Sequence, residues 1–271
     1  MEKQLWEACS DGKVKDVIKL LQNEQINTNW QSWLDETPLY IACENGQIEI
    51  VKLLLNDNRV DINKASKGHW TPFYVACKQG HVEIVKLLLN DQRVDINKKG
   101  YEADEGDTTP LYVACKQGHI EVVKLLLNDK RVDVNKANKY EVTPFYIACY
   151  YGHIGIVKLL LSDKRIDINQ SNDFGATPFY RACDHGHIEI VKLLLNDGRI
   201  DINKADKNGQ TPFYGACREG RIEIVKLLLN DKQISIRKKT EKGKTAIEIA
   251  KTNFYSEIVK IIKEFDTGNY C

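Results

Sequence analysis

The sequence has almost no net charge, no long apolar run and little proline. Its 39 lysines and arginines face 38 aspartates and glutamates, so no overall field selects a nucleic acid or an anionic membrane as partner. Apolar stretches stay well short of the roughly 18 residues that a membrane span requires. The N-terminal segment carries Glu2, Lys3, Glu7, Asp11, Lys13 and Lys15, which argues against a secretory leader. No Walker loop, HExxH or GxSxG motif is present, and these are the short motifs that would mark phosphate, zinc or nucleophile chemistry. The chain therefore reads as soluble and intracellular, with cytoplasm the expected compartment, and as neither an enzyme nor a holder of metal or cofactor.

What is present is one phrase. All 6 prolines belong to it: TPLYIAC at 37–43, TPFYVAC at 71–77, TPLYVAC at 109–115, TPFYIAC at 143–149, TPFYRAC at 177–183 and TPFYGAC at 211–217. The threonines Thr37, Thr71, Thr109, Thr143, Thr177 and Thr211 stand 34, 38, 34, 34 and 34 residues apart. Weaker copies lie at Leu5-Trp6-Glu7-Ala8-Cys9 and Thr245-Ala246-Ile247-Glu248-Ile249-Ala250. A fixed period of this size predicts stacked supersecondary units in place of one globular core. The division is a single array over 1–271 in eight units: 1–36 and 245–271 as end units, with 37–70, 71–108, 109–142, 143–176, 177–210 and 211–244 between them.

The period also decides how the 8 cysteines are read. Cys9, Cys43, Cys77, Cys115, Cys149, Cys183 and Cys217 hold one place in successive units. Stacked helices lie about 8–10 Å apart, whereas a disulfide needs Cα atoms within roughly 7 Å. One cysteine per layer is also the wrong spacing for zinc. Small buried thiols that let helices approach fit better, and their number favours a reducing compartment. Cys271, at the tail, is expected to be exposed and oxidisable.

The stretch from Thr71 to Lys98 stands for the others. Thr71 suits an N-cap and Pro72 the first helical position. Phe73, Tyr74, Ala76 and Cys77 follow on a short helix that Gly80 ends in the left-handed conformation. A second helix is predicted from about His81 to Asn90, with Glu83 and Lys86 paired on its exposed face. Val94 and Ile96 then alternate with polar residues, as in an extended segment with one face buried. Helices this short are marginal alone, so stability comes from interfaces between neighbouring units. In the end units Lys3 replaces the capping threonine, Ala246 replaces proline, and Phe254-Tyr255 stands where Gly-His would be. Lys15, Asp16, Lys260, Lys263 and Glu264 interrupt the apolar faces there, as expected of an array that closes its ends against water.

These residues carry a family resemblance over essentially the whole chain. Gly209-Gln210-Thr211-Pro212, Gly118-His119, Ile84-Val85 with Leu87-Leu88, and Asp133-Val134-Asn135 resemble the ankyrin repeat pattern. Two features depart from it. Tyr40, Tyr74, Tyr112, Tyr146, Tyr180 and Tyr214 stand in place of the family's His, and Asn-Asp-x-Arg replaces the Gly after the second helix. The resemblance implies an all-α repeat solenoid, a curved array of helix-turn-helix-loop units of about 34 residues. It also implies a scaffold that binds another protein or peptide on its fingertips and on the concave side of the first helices. An inhibitor or regulatory subunit of a partner enzyme, using the same face, is the alternative. No nucleic acid or membrane partner is expected, and the chain is expected to be a monomer.

Partner specificity is expected where the copies disagree. Trp33 and Trp70 mark the second and third fingers. Tyr140, Tyr150, Tyr151 and Phe174 mark the fifth and sixth units. Aromatic residues lead interface hot spots, although the tryptophans, with Trp30, are equally suited to closing the N-terminal end or packing on the next finger. Arg181 occupies the place of Ile41, Val75, Val113, Ile147 and Gly215. A guanidinium there needs a carboxylate or solvent. It reads either as a charged anchor for a partner, with His185 nearby, or as a local pair with Asp184. The long approach 99–107 has too few ligands in register for a calcium loop and reads as a solvated finger, with Tyr101 available for contact. Arg237, Lys238, Lys239, Lys242 and Lys244 form a basic run open to phosphate-binding, nuclear-import or plain solvated-loop readings. His81, His119, His153 and His187 recur as structure, His69 is isolated, and His185-Gly186-His187 is too small to hold a metal alone.

Overall fold

The computed structural model describes residues 1–268, so the expectation for Cys271 lies outside the described residues. Among the described residues, sixteen helices in eight consecutive pairs account for nearly all regular structure, together with one small hairpin. No helix among the described residues is long and apolar enough to cross a membrane. The chain divides into two compact units, Met1–Lys139 and Tyr140–Cys271.

The first unit holds α1 Glu2–Ser10, α2 Val14–Leu21, α3 Pro38–Glu44, α4 Ile48–Leu55, α5 Pro72–Gln79, α6 Val82–Asn90, the strands β1 Gly100–Glu102 and β2 Gly106–Thr108, α7 Pro110–Gln117 and α8 Ile120–Asn128. The first helix of each pair packs on the first helix of the next, and second helices pack on second helices. The second unit repeats this with α9 Pro144–Tyr151, α10 Ile154–Ser162, α11 Pro178–His185, α12 Ile188–Leu195, α13 Pro212–Arg218, α14 Ile222–Leu229, α15 Ala246–Thr252 and α16 Ser256–Asp266.

Each first helix is set by its cap. Thr71 Oγ1 accepts the Tyr74 backbone N–H at 3.1 Å, and Pro72 takes the first turn. Every residue from Pro72 to Cys77 is buried, which explains why the helix carries small Ala76 and Cys77 between larger neighbours. Gly80 closes it at φ +77°. The seven cysteines of the repeat are free and buried. Burial pushes the Cys9 thiol up to about 12 and also raises those of Cys43, Cys77, Cys149, Cys183 and Cys217, so these are inert neutral thiols. Glu83 pairs with Lys86 at 2.6 Å, as their spacing predicts.

The histidine that opens the second helix acts across the stack. The His81 ring lies over Gly46, where a Cβ would collide with it, and Nε2 meets Glu44 O at 2.9 Å. His119 repeats this over Gly80 and Lys78 O, and His187 over Gly152 and Tyr150 O. Where histidine is missing, Gln47, Arg221 and Tyr255 fill the place over Gly12, Gly186 and Gly220.

Three expectations need correction. Val94 and Ile96 are buried on successive turns, closed by Val94 N–H to Asp91 O and Lys98 N–H to Asp95 O, so their alternation is not that of an extended segment. Lys3 is not at a capping position, because α1 already starts at Glu2 behind Met1. The approach 99–107 is a solvated finger only in part, with Tyr101, Ala103, Asp104 and Asp107 exposed. It is an antiparallel hairpin pairing Gly100 with Thr108 and Glu102 with Gly106. Glu102 pairs with Lys78 at 2.8 Å and Glu105 with Lys116 at 3.0 Å, so two of its carboxylates are tied to neighbouring first helices.

The departure after the second helix is a staple. Arg93 grips Asp91 through Nε and Nη2, at 3.0 and 2.6 Å, and donates to Leu55 O one unit back at 3.0 Å. Arg59, Arg131 and Arg199 do the same to Leu21 O, Leu89 O and Leu161 O. A helix C-terminus with unmet carbonyls favours a cation of this kind. Asparagines add a second link: Asn63 donates to Arg93 O and accepts from Asp95 N–H, at 2.7 and 2.8 Å, and Asn97 and Asn203 repeat the pair.

Candidate functional site

The fingers are held in register by backbone bonds between consecutive tips. Tyr101 N–H donates to Gly68 O in the first unit, and Asp173 N–H to Tyr140 O and Lys207 N–H to Phe174 O in the second. Each tip turns on a left-handed residue: Asp35, His69, Glu141, Gly175 and Gly209 hold φ between +58° and +79°. The residues flanking that turn are thrown outward, which places Trp33 and Phe174 in solvent at 80% and 62% exposure.

Trp33 therefore closes no end of the array, whereas Trp70 packs. The Trp70 ring stacks on Tyr74 at 6.2 Å, its Nε1–H donates to Tyr101 O at 2.9 Å, and Lys78 Nζ sits 4.0 Å above it. Tyr74 in turn meets Thr108 Oγ1 and donates to Glu102. The third finger and the hairpin are thus one polar-aromatic knot, with Tyr101 left exposed on it.

In the second unit the sequence-predicted residues fall into a denser arrangement. Tyr150 meets Tyr151 edge-on at 5.0 Å and His185 at 4.3 Å. Tyr151 and Tyr140 are exposed, while Tyr150 and His185 are half-buried. Arg181 lies beside them on α11, one turn before His185, whose Nδ1 is 3.1 Å from Arg181 O. Phe174 stands on the sixth fingertip. It is linked to the group through Asn172, which accepts the Phe174 N–H and donates to Tyr146 Oη.

Arg181 pairs with Asp184, as its spacing suggests, but at 3.4 Å and through one nitrogen. Its shorter bond runs from Nε to Tyr146 Oη, 2.7 Å away. Asp184 is 6% exposed, and its closest cation is Arg218, at 2.5 Å from the next unit. A buried carboxylate requires this pairing. Arg218 also donates to Gln210, which accepts from Tyr180 as well. The result is a continuous network across three units, from Asn172 through Tyr146, Arg181, Asp184 and Arg218 to Gln210. Burial works against the charged form of His185, with Asp184 opposing, and holds it below the ordinary histidine range. Burial pushes Tyr180 up to about 12. Both therefore serve as neutral hydrogen-bonding groups at neutral pH.

The sequence presents Asp184 only as a partner of Arg181. The residue after the cysteine varies from unit to unit, as Glu44, Lys78, Lys116, Tyr150, Asp184 and Arg218, so no one copy marks the network of Tyr146, Asp184, Arg218 and Gln210. Chemically the surface offers exposed rings, a neutral imidazole and a guanidinium whose Nη2 meets no acceptor among the described residues. No cluster of three or more His, Cys, Asp or Glu that could hold a metal occurs among those residues.

A family model for ankyrin repeats matches residues 5–100, 98–172, 166–240 and 200–269. No curated protein matches the chain.

Proposed function

The chain belongs to the ankyrin repeat family, whose repeats are generally protein–protein interaction modules, and we propose that it is a non-enzymatic scaffold. In this reading a cytoplasmic monomer meets a partner protein or peptide, and no nucleic acid, on the finger-lined face of residues 140–268. The observation that carries it is the Tyr150–Tyr151–His185 ring contact beside Arg181, whose guanidinium keeps free donors. Aromatic anchors next to a planar cation are the side chains that concentrate binding energy in interfaces. Phe174 and Tyr140, on adjoining tips, would widen the contact. Trp33 and Trp70 would form a second contact in residues 1–139, with Trp33 the more available of the two.

The test is affinity purification from the native cell with wild type and with the Tyr151→Ala, Phe174→Ala double variant. Both residues are exposed, so folding is unaffected in the expected outcome. Loss of one specific partner supports the proposal, and equal recovery overturns it.

A further inference from the structure

The charges that follow the repeat cysteine are mostly answered from within the chain. Lys78 meets Glu102 at 2.8 Å, Lys116 meets Glu105 at 3.0 Å, and Asp184 and Arg218 meet each other. The second repeat differs. Glu44 stands in the place of Lys78, and neither Glu44 nor Glu36 makes an ion pair among the described residues. Both are half-buried. Ser32 donates to one Glu36 oxygen at 3.1 Å, which leaves its charge unanswered. Burial raises the Glu44 carboxyl above the usual carboxylate range, Glu36 adds to this, and Lys78 opposes it. A carboxylate withdrawn from water without a cation carries a desolvation cost that a cation would remove.

The Tyr40 phenol ties these groups together. Glu36 stands just before the capping Thr37, Tyr40 lies on the first turn of α3, and Glu44 follows one turn later. Burial pushes the phenol up, and Glu44 and then Glu36 push it further, with Ser66 acting against them. Ser66 comes from the next fingertip, as Asn172 comes to Tyr146 across the same 26 residues at 3.0 Å. It is 9% exposed, and its Oγ meets no hydrogen-bonding partner among the described residues. The hydroxyl is thus near enough to bias the phenol without reaching it at bonding distance. Buried hydroxyls are normally partnered, so two carboxylates and one buried hydroxyl gather here without a cation.

We propose that Glu36, Glu44 and Ser66 bind a primary ammonium, the side chain of a lysine in a partner polypeptide. Three acceptor groups from three places in the chain match the three donors of an ammonium. A guanidinium is a planar fork suited to both oxygens of one carboxylate. Two carboxylates also fall short of the roughly six to eight oxygens that calcium takes. The next repeat shows the pairing made internally, where Lys78 meets Glu102 and the Tyr74 hydroxyl donates to the same carboxylate. The site belongs to residues 1–139 and shares no residue with the surface proposed in 140–268, so its failure would leave that reading untouched.

The test is NMR titration of the full chain at low salt with N-acetyl-lysine methylamide, with its norleucine and arginine counterparts, and with n-butylamine. The Glu44 carboxyl and the Ser66 amide report on the site. Glu44→Gln and Ser66→Ala are the informative variants. Each removes an unmet polar group, so each should unfold at the same temperature as wild type or higher. Saturable shifts at both reporters with the lysine compound, at a dissociation constant of about 1 mM, absent with the norleucine compound and weakened about tenfold by Glu44→Gln, support the proposal. Weaker binding of n-butylamine than of the lysine compound supports a polypeptide as the source, whereas tighter binding assigns the site to a free amine and overturns that source. No saturable shift at millimolar concentrations, an equal response to the norleucine compound, tighter binding of the arginine compound, or binding unchanged by Glu44→Gln overturns the site.

Discussion

At the scale of single residues, conformation and hydrogen bonding set which positions tolerate change. Gly80 holds φ +77° with the His119 imidazole against its Cα. Gly80→Ala should cost more than about 1 kcal/mol, since it combines a left-handed side chain with a collision; chemical denaturation measures this, and a neutral result would show that the ring swings away freely. Thr71→Ala removes the acceptor for Tyr74 N–H and should cost about 1 kcal/mol. His185 gives a pH prediction. Burial holds its folded-state pKa below the unfolded value, so its contribution to stability is complete above about pH 6.5 and is lost as pH falls through the lowered pKa. NMR titration of the imidazole should return a value below the ordinary one, and a value at or above it would contradict the burial argument.

At the scale of elements, the repeats are joined by links whose partners lie a full period away. The capping threonine, proline and terminal glycine were legible because their effect is local to the helix that they start or end. The staple was visible only as a departure, Asn-Asp-x-Arg for Gly. The reason is that Arg93 reaches a main-chain carbonyl, Leu55 O, and a carbonyl leaves no mark in sequence. The hairpin of β1 and β2 was misread for a related reason. Glu102 and Glu105 look solvated in a chain segment rich in carboxylates, but Lys78 and Lys116 reach them from the first helices on either side in sequence. Arg131→Ala should remove the grip on Asp129 and the bond to Leu89 O and lower stability by about 1 kcal/mol. Glu102→Ala should free Lys78 and loosen the hairpin under Trp70, read as a red shift of tryptophan emission; an unchanged spectrum would mean that backbone pairing alone holds it.

At the scale of the whole molecule, the near-equal count of cations and anions hides a repeated ionic pattern. In Asp57, Asp91, Asp129, Asp163 and Asp197 the carboxyl is held below its usual range by hydrogen bonds from the arginine two residues on, against the opposing effect of burial. Their contribution is complete above the ordinary aspartate pKa of about 4 and is lost as pH falls through the lowered values. Acid unfolding followed by circular dichroism should therefore fall below about pH 4, and Arg131→Gln should move its midpoint upward. The fold of the chain was readable because every unit states it again. The proposed binding surface was readable only as residues that break the pattern, and its network depends on Asp184 meeting Arg218 from the next unit, which no single copy displays. The most direct measurement is the affinity of a recovered partner for wild type and for Arg181→Ile, which restores the residue type of the other units at that position. The account predicts at least about tenfold weaker binding with the fold retained; unchanged affinity would contradict the assignment of this face.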